Sequence, residues 1–144
     1  MKNLFQNWKR QIKEILPAVQ IEHIGASNIP GAKTKGDLDI SIQTSEINFA
    51  SDCEKMKQIA HVHHPELWAK DFAIFNTYDQ SIKIDIMLVV KGSDYDTFTK
   101  TRDILISSPT LLAEYNFIKD KLTPRTPEYY QAKKAFFSRI LAGK

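Results

Sequence analysis

Cysteine is almost missing from this chain: Cys53 stands alone among 144 residues. A single thiol excludes an internal disulfide and fits a reducing compartment. No apolar run approaches the roughly 20 residues that cross a bilayer. The first ten residues also lack the apolar stretch of a secretion signal, so the expectation is a cytoplasmic protein with no membrane partner. An excess of one charge is lacking too. Twenty basic residues against seventeen acidic ones leave a formal net charge of +3. That field is too weak to announce a nucleic-acid partner, and the aromatic and basic interleaving that grips single strands is absent. A nucleic-acid module, tRNA-directed or otherwise, is therefore the least favoured class. Internal repeats, low-complexity tracts and linker-like stretches are missing as well.

What is present is ordinary globular usage, 42% hydrophobic and 26% charged, which argues against disorder. The length suits a single domain over residues 1–144. Leu4, Trp8, Ile12, Ile15 and Leu16 recur at helical spacing and predict a helix up to Pro17. Val19 to Ile24 reads as a strand running into Gly25. Residues 28–36, with Pro30, Gly31 and Gly36, read as a loop with room for one helical turn. Asp37 to Gln43 reads as a second strand. A helix capped by Ser45 or Ser51 is expected to run to Ala60. Phe72 to Tyr78 and Ser81 to Val90 read as a hairpin turning at Asp79-Gln80. Three helices follow, over 94–107, 109–122 and 127–142, with Pro109 and Pro127 at first-turn positions. The order predicts an α+β (α/β-like) fold: a short mixed β-sheet flanked by helices, with a helical C-terminal half.

The chemistry concentrates in two stretches. In Asp37-Leu38-Asp39-Ile40 the two carboxylates share one strand face, because alternate side chains do. In Ile82-Lys83-Ile84-Asp85-Ile86, Asp85 interrupts an apolar run, and Asp is depleted in strands. If the two strands are neighbours, three carboxylates converge. Carboxylates two residues apart on a strand sit about 6.6 Å apart. At an effective dielectric near 20 they repel by about 2.5 kcal/mol. Such a cluster takes up protons, binds basic side chains, or binds a divalent cation. All-oxygen donors suit Mg²⁺ or Mn²⁺.

Other residues carry weaker signals. The turn Gly25-Ala26-Ser27 is either a plain strand-to-loop turn or a source of backbone N–H groups and a hydroxyl for a phosphate. Lys33 and Lys35 in the next loop are either solvated or neutralise phosphate charge. His61, His63 and His64 lack the spacing of a helical metal pair, no cysteine joins them, and Pro65 follows. They read as structural or solvated. Cys53 falls in the expected second helix and reads as structural.

Taken together, Gly25-Ala26-Ser27, Asp37-Leu38-Asp39 and Asp85 resemble the active-site pattern of the nucleotidyltransferase superfamily. There a Gly-Ser turn precedes an Asp-x-Asp strand, and a third acid follows on a later strand. The longer run from Glu22 to Gly31 is similar to the GrpB family, which belongs to that superfamily. In the C-terminal third, Phe98, Arg102 to Leu105, Pro109, Tyr115, Lys119, Leu122, Tyr130, Lys133 and Phe136 stand in that family's order. Two positions depart from it. Ala26 occupies the place of the usual serine, with Ser27 one residue on. Asp37 stands where many GrpB-like chains are apolar, so the acidic pair is complete here.

The resemblance implies a nucleotidyltransferase fold with Asp37, Asp39 and Asp85 as catalytic residues and ligands of Mg²⁺ or Mn²⁺. It implies that Gly25, Ser27, His23 and Lys35 lie at the phosphates, and that Arg102, Tyr115 and Lys119 hold a triphosphate from the C-terminal helices. The implied partners are a nucleoside triphosphate and an acceptor hydroxyl, and the implied reaction transfers a nucleoside monophosphate with release of pyrophosphate. The alternative is a module that binds a nucleotide or other phosphate ligand without turning it over, for which Ala26 is the main support.

Overall fold

The strand face opposite the acids decides how this chain folds. In the computed structural model, which describes residues 1–34, 36–123 and 126–143, the elements run α1 (Lys2–Ile15), β1 (Gln20–Ile24), β2 (Leu38–Thr44), α2 (Phe49–Met56), β3 (His61–Val62), β4 (Phe72–Asp79), β5 (Ile82–Val90), α3 (Phe98–Ser107), α4 (Pro109–Lys121) and α5 (Pro127–Ala142). The strands form one sheet in the order β1-β2-β5-β4-β3. The β2–β5 pair is parallel and the other three pairs are antiparallel.

Register follows from burial. Leu38 pairs with Ile84, Ile40 with Ile86 and Ile42 with Leu88, and all six are fully buried. They share a core with Ile21, Ala73 and Phe75 of the sheet, with Phe5, Trp8 and Ile12 of α1, and with Phe49, Cys53 and Met56 of α2. A one-residue slip would drive Asp39 and Asp85 into that core, so the apolar face pins the acidic one. At the sheet end, Trp8 Nε1 donates to Asp79 Oδ2 at 2.9 Å, which docks α1 on the hairpin tip.

The C-terminal helices build a second core from Ile104, Leu105, Tyr115, Phe136 and Ile140, together with Ile29 from the loop after β1. Ser108 Oγ accepts from Leu111 N at 3.3 Å and Thr126 Oγ1 from Tyr129 N at 3.2 Å. These caps, with proline in the first turn, start α4 and α5 where the sequence places them.

Several boundaries differ from the sequence reading. α2 begins after Asn48 rather than at Ser45 or Ser51, and stops at Met56. α3 begins at Phe98, not Asp94. The Asp96 carboxylate instead accepts from Gly92 N at 2.8 Å and Gln43 Nε2 at 2.7 Å, which holds residues 92–96 in a turn. The hairpin turns at Gln80-Ser81, one residue later than expected. The short β3 and a 3₁₀ turn over Pro65–Leu67 are too brief to show a period. Among the described residues, no helix is long and apolar enough to cross a membrane.

Candidate functional site

Asp39 and Asp85 are direct register partners across the parallel β2–β5 ladder. The ladder extends the row: Ile24 of β1 lies opposite Asp39, and Asn76 of β4 lies opposite Asp85. Asp37 sits one residue before β2 begins, outside the ladder. The expected cluster of three carboxylates is accordingly not assembled: among the described residues, no three carboxylate, imidazole or thiol groups stand close enough to hold a metal ion. Asp37 lines the same cavity as the other two acids.

Gly25 carries φ +79°, and its backbone lies directly under the Asp39 side chain. A Cβ built there would meet Asp39 Oδ2 at 2.2 Å. The turn that follows is a 3₁₀ turn over Ala26–Asn28, tied down by Asn28 Nδ2 donating to His23 O at 2.7 Å. His23 projects from the face of β1 that carries α1. Its partner in register is the buried Ile40, and its ring stacks on Phe5 with centroids 5.1 Å apart. Burial, the positive chain amino group and Arg102 lower its pKa. Its Nε2 lies 2.9 Å from Ser27 Oγ. Thus Gly25 and Ala26 line the cavity, while Ser27 and His23 brace the turn from behind.

The loop before Asp37 is strapped to α4. Asn116 Nδ2 donates to Gly31 O at 2.9 Å, and Asn116 Oδ1 accepts from Lys33 N at 2.8 Å. Lys119 Nζ donates to Lys33 O, and Lys33 Nζ pairs with Asp120 at 2.8 Å on the surface. Lys35 lies outside the described residues.

These parts enclose a cavity of about 760 Å³. Its floor holds Asp37, Asp39, Lys83 and Asp85. Thr97, Phe98 and Thr101 close the α3 side. α4 contributes Tyr115 and Lys119, and α5 contributes Tyr129, Tyr130, Lys133, Lys134 and Phe137. His63, His64 and Glu66 stand at the β3–β4 side. Tyr115 is buried, and burial, with Tyr129 and Asp39 adding to it, pushes its phenol well above the ordinary range. It stays protonated and offers an O–H. The Lys119 ammonium lies 5.0 Å from the Tyr115 ring centroid.

Arg102 is placed elsewhere. It forms ion pairs with Glu22 at 3.0 Å and Asp103 at 2.9 Å and donates to His23 O at 3.1 Å. It fastens α3 to β1 and does not line the cavity. Lys133, which the resemblance had already marked, lines the cavity; Lys83, Lys134 and Asn116 belong to the site or its support without having been singled out. Lys83 alternates with Asp85 on β5, and that i, i+2 relation was the signal available for it. Cys53 is buried in the α1–α2 core, and burial, with Asp52 and Glu54 nearby, pushes its thiol to about 11, so it is inert at neutral pH.

The donor chemistry suits a hard cation. Mg²⁺ commonly takes one or two carboxylates and completes its shell with waters and substrate phosphate oxygens. Asp39 and Asp85, paired in register, are the two carboxylates here that could hold such an ion.

Comparison with known proteins fits this architecture. Residues 1–143 match the GrpB protein family. A UPF0157 protein of Vibrio cholerae serotype O1 is 31% identical over 147 residues, spanning 97% of this chain and 75% of that protein. The structure of the conserved protein GrpB from Enterococcus faecalis superposes with a TM-score of 0.71 at 18% identity, over 96% of this chain and 88% of that one. Cid1 poly(U) polymerase with MgGTP bound superposes with a TM-score of 0.56 at 14% identity, over 82% of this chain and 40% of the polymerase. At such identity the last two likenesses speak for fold.

Proposed function

Because the chain belongs to the GrpB family and carries a nucleotidyltransferase-like fold, we propose that it binds a nucleoside triphosphate and transfers its nucleotidyl group to an acceptor hydroxyl. The observation that carries this reading is the Asp39–Asp85 register pair in a cavity also lined by Lys119, Lys133 and Lys134. Acids from the strands and lysines from the C-terminal helices suit a polyphosphate that arrives with a divalent cation. Asp39 and Asp85 would hold Mg²⁺ or Mn²⁺, and Asp37 lines the same cavity. The cation would neutralise phosphate charge.

The chain's own groups do the rest. The Gly25-Ala26 backbone offers a close approach for a phosphate, and the lysines of α4 and α5 bind the remaining phosphate oxygens. The Tyr115 hydroxyl donates a hydrogen bond. The acceptor oxygen bonds to the α-phosphorus, the bond from that phosphorus to the bridging oxygen breaks, and pyrophosphate leaves. Asp85 accepts the acceptor's proton. Catalysis of this kind rests on positioning and charge neutralisation rather than on a protein nucleophile. Incubating the protein with each α-labelled triphosphate, Mg²⁺ or Mn²⁺ and candidate alcohols tests the reading. Transfer that disappears in Asp39→Ala supports it, and transfer indifferent to that substitution removes it.

A second reading has its own observation. Ala26 lines the cavity where the family usually has serine, and the Ser27 hydroxyl is engaged with His23. A protein that binds the triphosphate without turning it over accounts for that loss. Calorimetric uptake of a triphosphate, with no transfer to any alcohol, would favour it.

A further inference from the structure

One charged group on the cavity floor has no part in the reading above. Lys83 Nζ lies 3.7 Å from Asp85 Oδ2, and both side chains are only about one-fifth exposed, at 22% and 21%. Lys83 stands two residues from Asp85 on β5, so it shares the acidic face. It lines the cavity with Asp37, Asp39 and Asp85. The ladder ends at the Leu38–Ile84 pair, which Asp37 precedes on one chain segment and Lys83 on the other. A lysine thus stands beside Asp85, on the face where a divalent cation would be drawn.

The separation matters. At 3.7 Å the pair is beyond hydrogen-bonding distance. It neutralises charge without being locked by a directed bond. A flexible four-carbon stem carries the ammonium, so it can leave when a stronger cation arrives.

We infer that Lys83 is a built-in counter-cation of Asp85: its ammonium offsets that carboxylate while no divalent ion is present, competes with the ion for it, and is displaced when the ion enters. The inference rests on the cation half of the proposed function and not on nucleotidyl transfer. It makes Lys83 a residue that sets the metal affinity of the site.

Titration of the full chain with MnCl₂ alone, followed by calorimetry and by the electron paramagnetic resonance of free Mn²⁺, tests it. Removing one positive charge near the ion should tighten Mn²⁺ binding by about tenfold in Lys83→Met. Lys83→Gln carries the same expectation should the methionine variant fail to fold. Lys83→Arg, which keeps the charge, should bind as the parent does. Asp39→Asn should abolish the gained uptake when combined with either neutral variant. Mn²⁺ affinity that is unchanged or weaker in both neutral variants overturns the inference, as does uptake that ignores Asp39→Asn. No nucleotide enters these titrations. A failure of triphosphate transfer with a tenfold gain in Mn²⁺ affinity would therefore sink the transferase reading alone, and the reverse pattern would sink the role of Lys83 alone.

Discussion

The side chain of Asp39 rests on the backbone of Gly25: a Cβ at position 25 would lie 2.2 Å from Asp39 Oδ2 and 2.9 Å from its Cβ and Cγ. Glycine is required there for space as well as for φ +79°. Gly36 has a similar φ of +88°, yet a Cβ added to it meets nothing within 4 Å. The two positions therefore separate strain from displacement. Gly36→Ala should lose about 1–2 kcal/mol of stability from its positive φ, and Gly25→Ala, at φ +79° and ψ −179°, about 1–3 kcal/mol, since that region is nearly confined to glycine. Only Gly25→Ala should also move Asp39, and its triphosphate and Mn²⁺ binding should fall by about tenfold or more, which is roughly 1.4 kcal/mol of binding. Urea melts together with calorimetry check both. Equal binding in the two variants would disconnect the turn from the carboxylate.

Asn116 gives the second prediction. Its amide donates to Gly31 O and accepts from Lys33 N, so one side chain closes the loop that leads to Asp37. Asn116→Ala removes both bonds at a partly exposed site, and should cost about 1 kcal/mol of stability. The larger effect should be local. The Lys33 amide should exchange faster with solvent while amides of β5 stay protected, and binding of a magnesium triphosphate should weaken several-fold. Hydrogen exchange read by mass spectrometry distinguishes this from global loosening, in which both segments would change together.

How far the sequence spoke for the site depends on the kind of link involved. Alternation in Asp37-Leu38-Asp39 and Ile84-Asp85-Ile86 is local, and it told which side chains share a face. The parallel pairing that sets Asp39 beside Asp85 joins strands 46 residues apart along the chain, and no periodicity reports such a pairing. The resemblance to a known family supplied it. Arg102 and Lys119 looked alike in sequence, each a basic residue on an expected helix. Their fates differ because Glu22 stands on β1 to receive the first, whereas the second lines the cavity and bonds the Lys33 carbonyl. Asp37 was counted with the strand, but β2 starts one residue later, so Asp37 stands outside the ladder that pairs Asp39 with Asp85. His23 seemed near the substrate by its position before Gly25. A strand's alternation puts it on the opposite face from Asp39, where it holds Ser27.

The β4–β5 turn offers a stabilising change. Gln80 and Ser81 both adopt positive φ, 53° and 69°, the combination that a two-residue hairpin of the right twist demands and that Asn-Gly meets most readily. Glutamine and serine hold it at a cost. The double change Gln80→Asn, Ser81→Gly should raise stability by about 1 kcal/mol, and the melting temperature by several degrees, roughly 2–8 °C. The turn lies away from the cavity lining, so Mn²⁺ and triphosphate binding should not change. A melt that stays put or falls would show that some other interaction holds those residues in place.

His23 sets a pH response that can be worked out in sign. Burial, the chain amino group and Arg102 all disfavour its charged form, so its folded pKa lies below the ordinary value of 6.5. Between the folded and unfolded values the unfolded chain binds more protons, and stability therefore rises with pH across that window. The contribution is complete above about 6.5 and is lost as pH falls toward the depressed folded value. His63, also lowered chiefly by burial, adds a slope of the same sign. His23→Asn, which titrates nowhere in this range, should flatten part of the loss seen between pH 7.5 and pH 5, and His63→Asn a further part. Urea denaturation of the parent and both variants at a series of pH values reads this directly. If the parent instead grew more stable as pH fell through 6, the ring would have to be held in its charged form, against the desolvation and the neighbouring positive charges that surround it.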